Sequence, residues 1–265
     1  MHISAIQLKF DTAFPPQHFF AHARDLIERA SIAGAQLIVV PNTSVSIARA
    51  DYIDFFSALA RRLQIHLAPS TLIEHDGDAR YNTAYLFGPD GKIVGTQRQT
   101  HRSPQEIAQG LARGTELNVF DIGLARVGFV IGTDVEYPEV ARILTLQGAN
   151  VLIHPASYAT WSKEHFLLDL WRDVQSNQVF GVQACLAGKG QSAIYAPVEM
   201  TPDHRGFLAQ ASSGDEEIVS ASLDFAALRK VIDDYPIFDF FNDEFYRQEF
   251  PQIYRRRGDP NSVRV

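Results

Sequence analysis

The chain has 265 residues, 46% of them hydrophobic and 21% charged, which is ordinary for a soluble globular protein and excludes disorder, collagen and a long coiled coil. A formal net charge of -7 disfavours nucleic-acid binding, because phosphate contacts need a basic face; the densest basic run, Arg255-Arg256-Arg257, is short and lies near the C-terminus. One cysteine, Cys185, excludes an intramolecular disulfide and any multi-cysteine zinc site.

His2 to Leu8 reads as a strand. The start carries no basic region followed by an apolar stretch, so no signal peptide is expected. No apolar run approaches the roughly 20 residues that span a bilayer. A cytoplasmic chain that avoids membranes is the expectation. Pro16 to Ala33 reads as a helix, with Phe19, Ala23, Ile27 and Ala30 at helical spacing and Gly34 as its stop. Leu37-Ile38-Val39-Val40 is a continuous apolar run ended by Pro41, which suits a strand buried on both faces. Tyr52 to Leu63 is helical, and His66 to Thr71 is strand-like. Glu74, His75, Asp76 and Asp78 surround Gly77 and read as a solvated hairpin turn.

Thr83 to Phe87 and Ile93 to Gln97 flank the turn Gly88-Pro89-Asp90-Gly91. Strands are then expected over Leu117 to Phe120 and Arg126 to Ile131, a helix over Pro138 to Gln147, a strand over Val151 to His154 and a helix over Lys163 to Ser176. Further strands follow at Phe180 to Cys185, Gln191 to Tyr195, Leu208 to Ala211 and Ile218 to Leu223. Helices interleave with strands and no linker or repeat interrupts them, so residues 1–265 read as one α/β domain with helices outside stacked or mixed sheets. The stretch 224–265 is rich in Phe and Tyr and is expected to pack on the body or on a second copy.

The order of several stretches carries a resemblance. They are Ala35-Gln36-Leu37-Ile38-Val39-Val40-Pro41, Tyr81-Asn82-Thr83 through Gly91-Lys92-Ile93-Val94-Gly95, Thr100-His101, and Asp134 through Pro138-Glu139. Gly148-Ala149-Asn150 through His154-Pro155, Asn177-Gln178-Val179-Phe180 and Ser192-Ala193-Ile194-Tyr195-Ala196-Pro197 complete the set. In this order and spacing the chain resembles the nitrilase superfamily, the carbon-nitrogen hydrolases. The resemblance implies an αββα four-layer sandwich that pairs into a homodimer through helices. It also implies cleavage of amides, nitriles or carbamoyl groups by a cysteine nucleophile, a glutamate base and a lysine that stabilises the tetrahedral intermediate.

All three implied catalytic slots are substituted. The glutamate slot after Pro41 holds Asn42, the lysine slot before Thr100-His101 holds Gln99, and the cysteine slot two residues before Asp134 holds Gly132. Gly132 offers no nucleophile, Asn42 takes up no proton and Gln99 carries no charge. The pocket is expected to be electrically quiet and slightly roomier at position 132. The resemblance also implies a further glutamate, matched by Glu106, which is a candidate acid-base group.

Replacement groups are few. Cys185 sits in the apolar strand Phe180 to Cys185 and reads as an inert core thiol. Thr133 has no evident base, and Lys189 lies in the turn Gly188-Lys189-Gly190. Asp134, Glu136 and His101 are candidate acid-base groups; with Glu139 they are too loosely placed for a metal site, and no metal or cofactor is expected. Ser157, Tyr158 and Trp161 fall after a strand end where relatives line the pocket, so with Asn42, Gln99, Gly132 and Thr133 they are candidate ligand contacts. Three functions stand open: a non-catalytic protein that binds a small neutral molecule or another protein, an enzyme with non-covalent acid-base chemistry such as hydration, elimination or isomerisation, and an amidase or nitrilase that hydrolyses carbon-nitrogen bonds with a displaced nucleophile.

Overall fold

A computed structural model describes residues 1–10, 16–43, 47–156, 158 and 169–257. The N-terminal half builds strand β1 (His2–Gln7), helix α1 (Pro16–Ile32), β2 (Leu37–Val39), α2 (Arg49–Leu63), β3 (His66–Ala68), β4 (Leu72–Asp76), β5 (Ala79–Phe87), β6 (Ile93–Arg98) and α3 (Pro104–Ala108). Then come β7 (Val119–Asp121), β8 (Arg126–Phe129), a 3-10 turn (Gly132–Glu136), α4 (Pro138–Leu146), β9 (Val151–Pro155), α5 (Leu170–Asn177) and β10 (Phe180–Ala184). The chain continues through β11 (Ala193–Tyr195), β12 (Phe207–Gln210), β13 (Glu217–Ser222), α6 (Phe225–Asp234) and α7 (Asp243–Arg257).

The strands form two sheets. One runs β13-β1-β2-β3-β5-β4 with β6 paired to β5, and the other runs β12-β11-β10-β9-β8-β7. Strands β1, β2 and β3 are mutually parallel, as are β8, β9 and β10. Strand β5 is antiparallel to both β3 and β6, so β6 points the same way as β3.

Side-chain alternation explains the layers. Leu37 and Val39 face the second sheet, where they meet Val127, Phe129, Ile153 and Val182. Ile38 and Val40 face the opposite way, against Phe19, Ala23, Ile27 and Phe56 of α1 and α2. A strand buried on both faces has no polar position to offer, hence the unbroken apolar run. On the far side of the second sheet, Leu152, Ala193 and Tyr195 meet Val140, Leu144, Leu170 and Val174 of α4 and α5. The result is an α-β-β-α sandwich. Each fully buried Phe or Leu of these layers stabilises it by about 1.5–3 kcal/mol.

The hairpin around Gly77 is present, but Glu74 is not solvated. Its side chain is 10% exposed, takes hydrogen bonds from Thr83 Oγ1 and Tyr85 Oη, and lies beside Arg49 and Arg98. Thr83, Tyr85 and the two arginines cover Glu74, while Asp76, nearer the hairpin tip on the same face, and Asp78 stay exposed. The stretch after Ser222 begins as core, with Leu228 buried and Phe225 and Ile232 packed on the inter-sheet cluster. Farther on, Phe238 and Phe241 cover the Arg142 guanidinium at 4.9 and 5.2 Å, and Gln178 donates to the Tyr235 carbonyl. No helix among the described residues is long and apolar enough to cross a membrane.

Candidate functional site

Asn42, Gln99 and Gly132 all lie just past the C-terminal ends of strands that run the same way within their sheets: β2, β6 and β8. Strand ends of layered α/β folds are where ligand crevices form. Asn42 is 5% exposed and Gln99 2%. Gly132 opens the 3-10 turn with φ +51°, a left-handed conformation that favours glycine. A Cβ built there would point at the Gln99 amide, 3.3 Å from its Nε2. Positions 99 and 132 are therefore neighbours across the two sheets.

Gln99 is held by its surroundings. Its Nε2 faces His101 O at 2.6 Å, Thr133 Oγ1 at 2.8 Å and Glu106 Oε2 at 3.1 Å, and its Oε1 accepts from Asn82 Nδ2 at 2.6 Å. Asn82 is opposite Gln99 in the β5–β6 ladder, as the bond from Gln99 N to Asn82 O shows. Glu106 arrives on α3, whose Ser103 cap accepts from Glu106 N while Glu106 Oε2 accepts from Ser103 N. This capping box fixes the carboxylate against Gln99. The expected electrically quiet pocket is thus corrected: it contains a carboxylate.

Asp134 is fully buried and saturated. Its Oδ1 accepts from Thr100 Oγ1 at 2.7 Å, His101 N at 2.7 Å and Thr100 N at 3.0 Å, and its Oδ2 lies 3.3 Å from Ile131 N. It staples the end of β6 to the turn after β8 and has no lone pair directed at a ligand. His101 Nδ1 lies 3.2 Å from Asp134, and the ring stacks on Tyr137 at 3.7 Å. Glu136 and Glu139 are exposed. Thr133 donates to His101 O, which leaves no activated hydroxyl.

The Tyr158 hydroxyl bridges His154 Nε2 at 2.9 Å and Asp169 Oδ1 at 2.8 Å. His154 Nδ1 donates to Val130 O, and burial pushes its pKa down to about 4 despite that bond. Cys185 Sγ is buried in the same region, 3.6 Å from Gln191 O, and burial raises its pKa well above that of an ordinary thiol, with Asp169 adding to the effect. Lys189 is exposed. Ser157 and Trp161 lie outside the described residues. Among the described residues no three His, Cys, Asp or Glu side chains form a metal-holding group.

The sequence reading missed Asn82 and Ser103. Asn82 was findable: it occupies the hairpin position that pairs with Gln99.

Two stacked sheets, helices on both outer faces and a cluster of buried polar side chains at the strand ends define a four-layer hydrolase-type scaffold. Residues 2–233 match the family Carbon-nitrogen hydrolase, and the chain belongs to it. It is 29% identical over 260 residues to a nitrilase from Pyrococcus abyssi, covering 87% of this chain and 94% of that one. It is 27% identical over 247 residues to omega-amidase NIT2 from Bos taurus, covering 84% and 89%. Its fold also matches an amidase from Nesterenkonia sp. AN1 with a TM-score of 0.78 at 20% identity, covering 94% and 97%. That amidase was solved with the acetamide moiety of fluoroacetamide added at its active site cysteine.

Proposed function

We propose that this chain is a non-catalytic member of its family, one that binds a small molecule in the crevice or pairs with another protein. The observation that carries this reading is Gly132: the position that faces Gln99 has no side chain to attack a carbon atom. Its relatives include enzymes named nitrilase and omega-amidase, and the Nesterenkonia amidase has an active site cysteine. Here the one thiol is buried, and burial raises its pKa well above that of an ordinary thiol, which disfavours the nucleophilic thiolate. Asn42 and Gln99 leave the crevice without the base and the ammonium that the family resemblance implies. Loss of one member of such a catalytic unit costs about 10⁴ to 10⁶ in rate.

The test is covalent trapping. Native protein incubated with fluoroacetamide is expected to keep its intact mass. An adduct mapped to any residue of the crevice would contradict the reading. A complementary variant carries Asn42→Glu, Gln99→Lys and Gly132→Cys together, and recovered amidase activity is expected if the scaffold is otherwise competent.

A second reading, non-covalent acid-base chemistry, has one group in place. His101 faces buried Asp134 through Nδ1, with its side chain 33% exposed. Turnover of a bound ligand that is lost in His101→Gln would favour it. We also propose that the chain forms a homodimer through the face of α4 and the C-terminal helices. Ile143, Leu146, Phe240, Phe245 and Tyr254 are 44%, 59%, 70%, 53% and 51% exposed there, a concentration of apolar surface that marks an interaction site.

A further inference from the structure

A run of hydrogen bonds crosses the interior from the end of β8 to the start of α5. His154, on β9, is fully buried, and its Nδ1 lies 2.6 Å from Val130 O. A backbone carbonyl has no hydrogen to give, so Nδ1 carries one, and in a neutral imidazole Nε2 is then a bare acceptor. The partner of Nε2 is the Tyr158 hydroxyl at 2.9 Å. That hydroxyl has a single hydrogen, which goes to Nε2. Tyr158 Oη also lies 2.8 Å from Asp169 Oδ1. With its hydrogen already used, the phenol can only accept there, and an ionised carboxylate has nothing to donate. All three contacts are satisfied together only if the run holds one proton more than a neutral imidazole, a phenol and a carboxylate supply.

Imidazolium is the poorer host for that proton. Burial pushes His154 down to about 4, against the opposing pull of Val130 O and Asp134. Asp169 is 3% exposed, and burial disfavours the charged form of a carboxyl group. Its place on the helix agrees. Asp169 is the N-cap of α5, where an ionised carboxylate normally takes backbone N–H groups and gains from the helix dipole. Asp224 does so on α6, accepting from Ala226 N at 2.9 Å and Ala227 N at 3.0 Å. The Asp169 side chain makes no capping bond and turns to Tyr158 instead.

We propose that Asp169, Tyr158 and His154 form a proton relay in which Asp169 is a carboxylic acid at neutral pH. Asp169 Oδ1–H donates to Tyr158 Oη, Tyr158 donates to His154 Nε2, and His154 Nδ1–H donates to Val130 O. The relay fastens the start of α5 to β9 and to Val130, two residues before Gly132. It goes beyond the non-catalytic reading and does not depend on it. Raising the pH takes the Asp169 proton into solvent. Tyr158 then turns its one hydrogen to the charged carboxylate, and His154 Nε2 is left a buried acceptor without a donor. The relay is thus a pH-sensitive latch. Among the described residues, the other groups that face it are Gln183 and Cys185 at β10, Tyr195 on β11 and Asp134 after β8. Burial raises both Cys185 and Tyr195 and is the larger influence on each, whichever form Asp169 takes.

The experiment is an NMR titration of the full chain from about pH 5 to 9, with 13C in the aspartate carboxyls and 15N in the histidine rings. The Asp169 signal is the one missing in Asp169→Asn. At neutral pH the Asp169 carboxyl is expected at its protonated shift, moving only above that pH, with His154 as the neutral tautomer protonated at Nδ1. His154→Phe frees the Tyr158 hydrogen for the carboxylate. Its Asp169 midpoint is expected to fall by at least about one pH unit, the size of one hydrogen bond to a charged group. A merely structural cluster would leave that midpoint unmoved. An ionised Asp169 at neutral pH, a His154 imidazolium, or an unmoved midpoint in folded His154→Phe would each overturn the proposal. Should His154→Phe fail to fold, the carboxyl and imidazole spectra of the unmodified chain still decide it.

Discussion

Asp134→Asn isolates the staple that holds the crevice together. The carboxylate is fully buried and takes three short bonds on Oδ1, from Thr100 Oγ1, Thr100 N and His101 N, with Ile131 N against Oδ2. An amide has one acceptor oxygen. Whichever way it turns, its NH₂ faces a backbone N–H that it cannot satisfy. The remaining bonds lose their charge assistance, falling from about 2 to about 1 kcal/mol each. Three weakened bonds, about 3 kcal/mol, and one orphaned donor, about 1–3 kcal/mol, sum to a loss of about 4–6 kcal/mol, a large share of the roughly 5–15 kcal/mol that holds a typical domain. Urea unfolding followed by tryptophan fluorescence is the assay. With a slope of about 3 kcal/mol/M the midpoint should fall by about 1.3–2 M at unchanged slope. A shift below about 0.3 M would refute the view that Asp134 fastens the two sheets' ends.

Further outcomes follow from other buried groups. Asp173 is pushed up to about 6 by burial, against the opposing pull of Arg172 and Arg142; its contribution is complete below the unfolded pKa near 3.8 and is lost as pH rises through about 6. His154, pushed down to about 4 by burial, contributes in the opposite sense, complete above about 6.5 and lost as pH falls toward about 4. The two nearly cancel between pH 4 and 6, so Asp173→Asn should add a rising slope of up to about 1.4 kcal/mol per pH unit relative to wild type in urea titrations; parallel curves would contradict the assignment. Iodoacetamide should leave native Cys185 unlabelled over hours and add one group in urea, as read by intact mass; rapid native labelling would show a reactive thiol. Gly190→Ala should lower the urea midpoint by about 1–3 kcal/mol equivalent, because φ is +148° and a Cβ would lie 2.7 Å from Cys185 Sγ; an unchanged midpoint would show that the turn relaxes freely. Static light scattering should report twice 29.6 kDa at micromolar concentration, and a particle of that single mass would refute the homodimer.

Much of the scaffold is legible because burial imposes periodicity. The Leu37 to Val40 run and the Phe19, Ala23, Ile27, Ala30 spacing locate β2 and α1 within a residue of their observed ends. The acidic cluster at Glu74 does not reveal that Tyr85 of β5 and Arg49 of α2 cover this one member, because those contacts are tertiary. The helices after Ser222 carry aromatic and charged residues in mixture, and their packing on Arg142 depends on tertiary contacts that no local pattern encodes.

The site divides the same way. That Gln99 and Gly132 are uncharged is plain in the sequence. Their adjacency depends on two sheets meeting, and the closeness of Glu106 depends on a capping box at Ser103. Tyr158 follows a strand end, and that its hydroxyl meets His154 and Asp169 depends on tertiary contacts the sequence does not spell out. Chain proximity to a strand end does not decide which face a side chain takes.

The central claim is that the crevice has lost covalent carbon-nitrogen chemistry. Its most direct measurement is ammonia release from a panel of primary amides and nitriles. The protein should be purified through two unrelated columns and assayed beside the Asn42→Glu, Gln99→Lys, Gly132→Cys variant. Release no faster than in buffer is predicted for the unmodified chain. Steady turnover that co-elutes with the protein and disappears in Cys185→Ala would contradict the account.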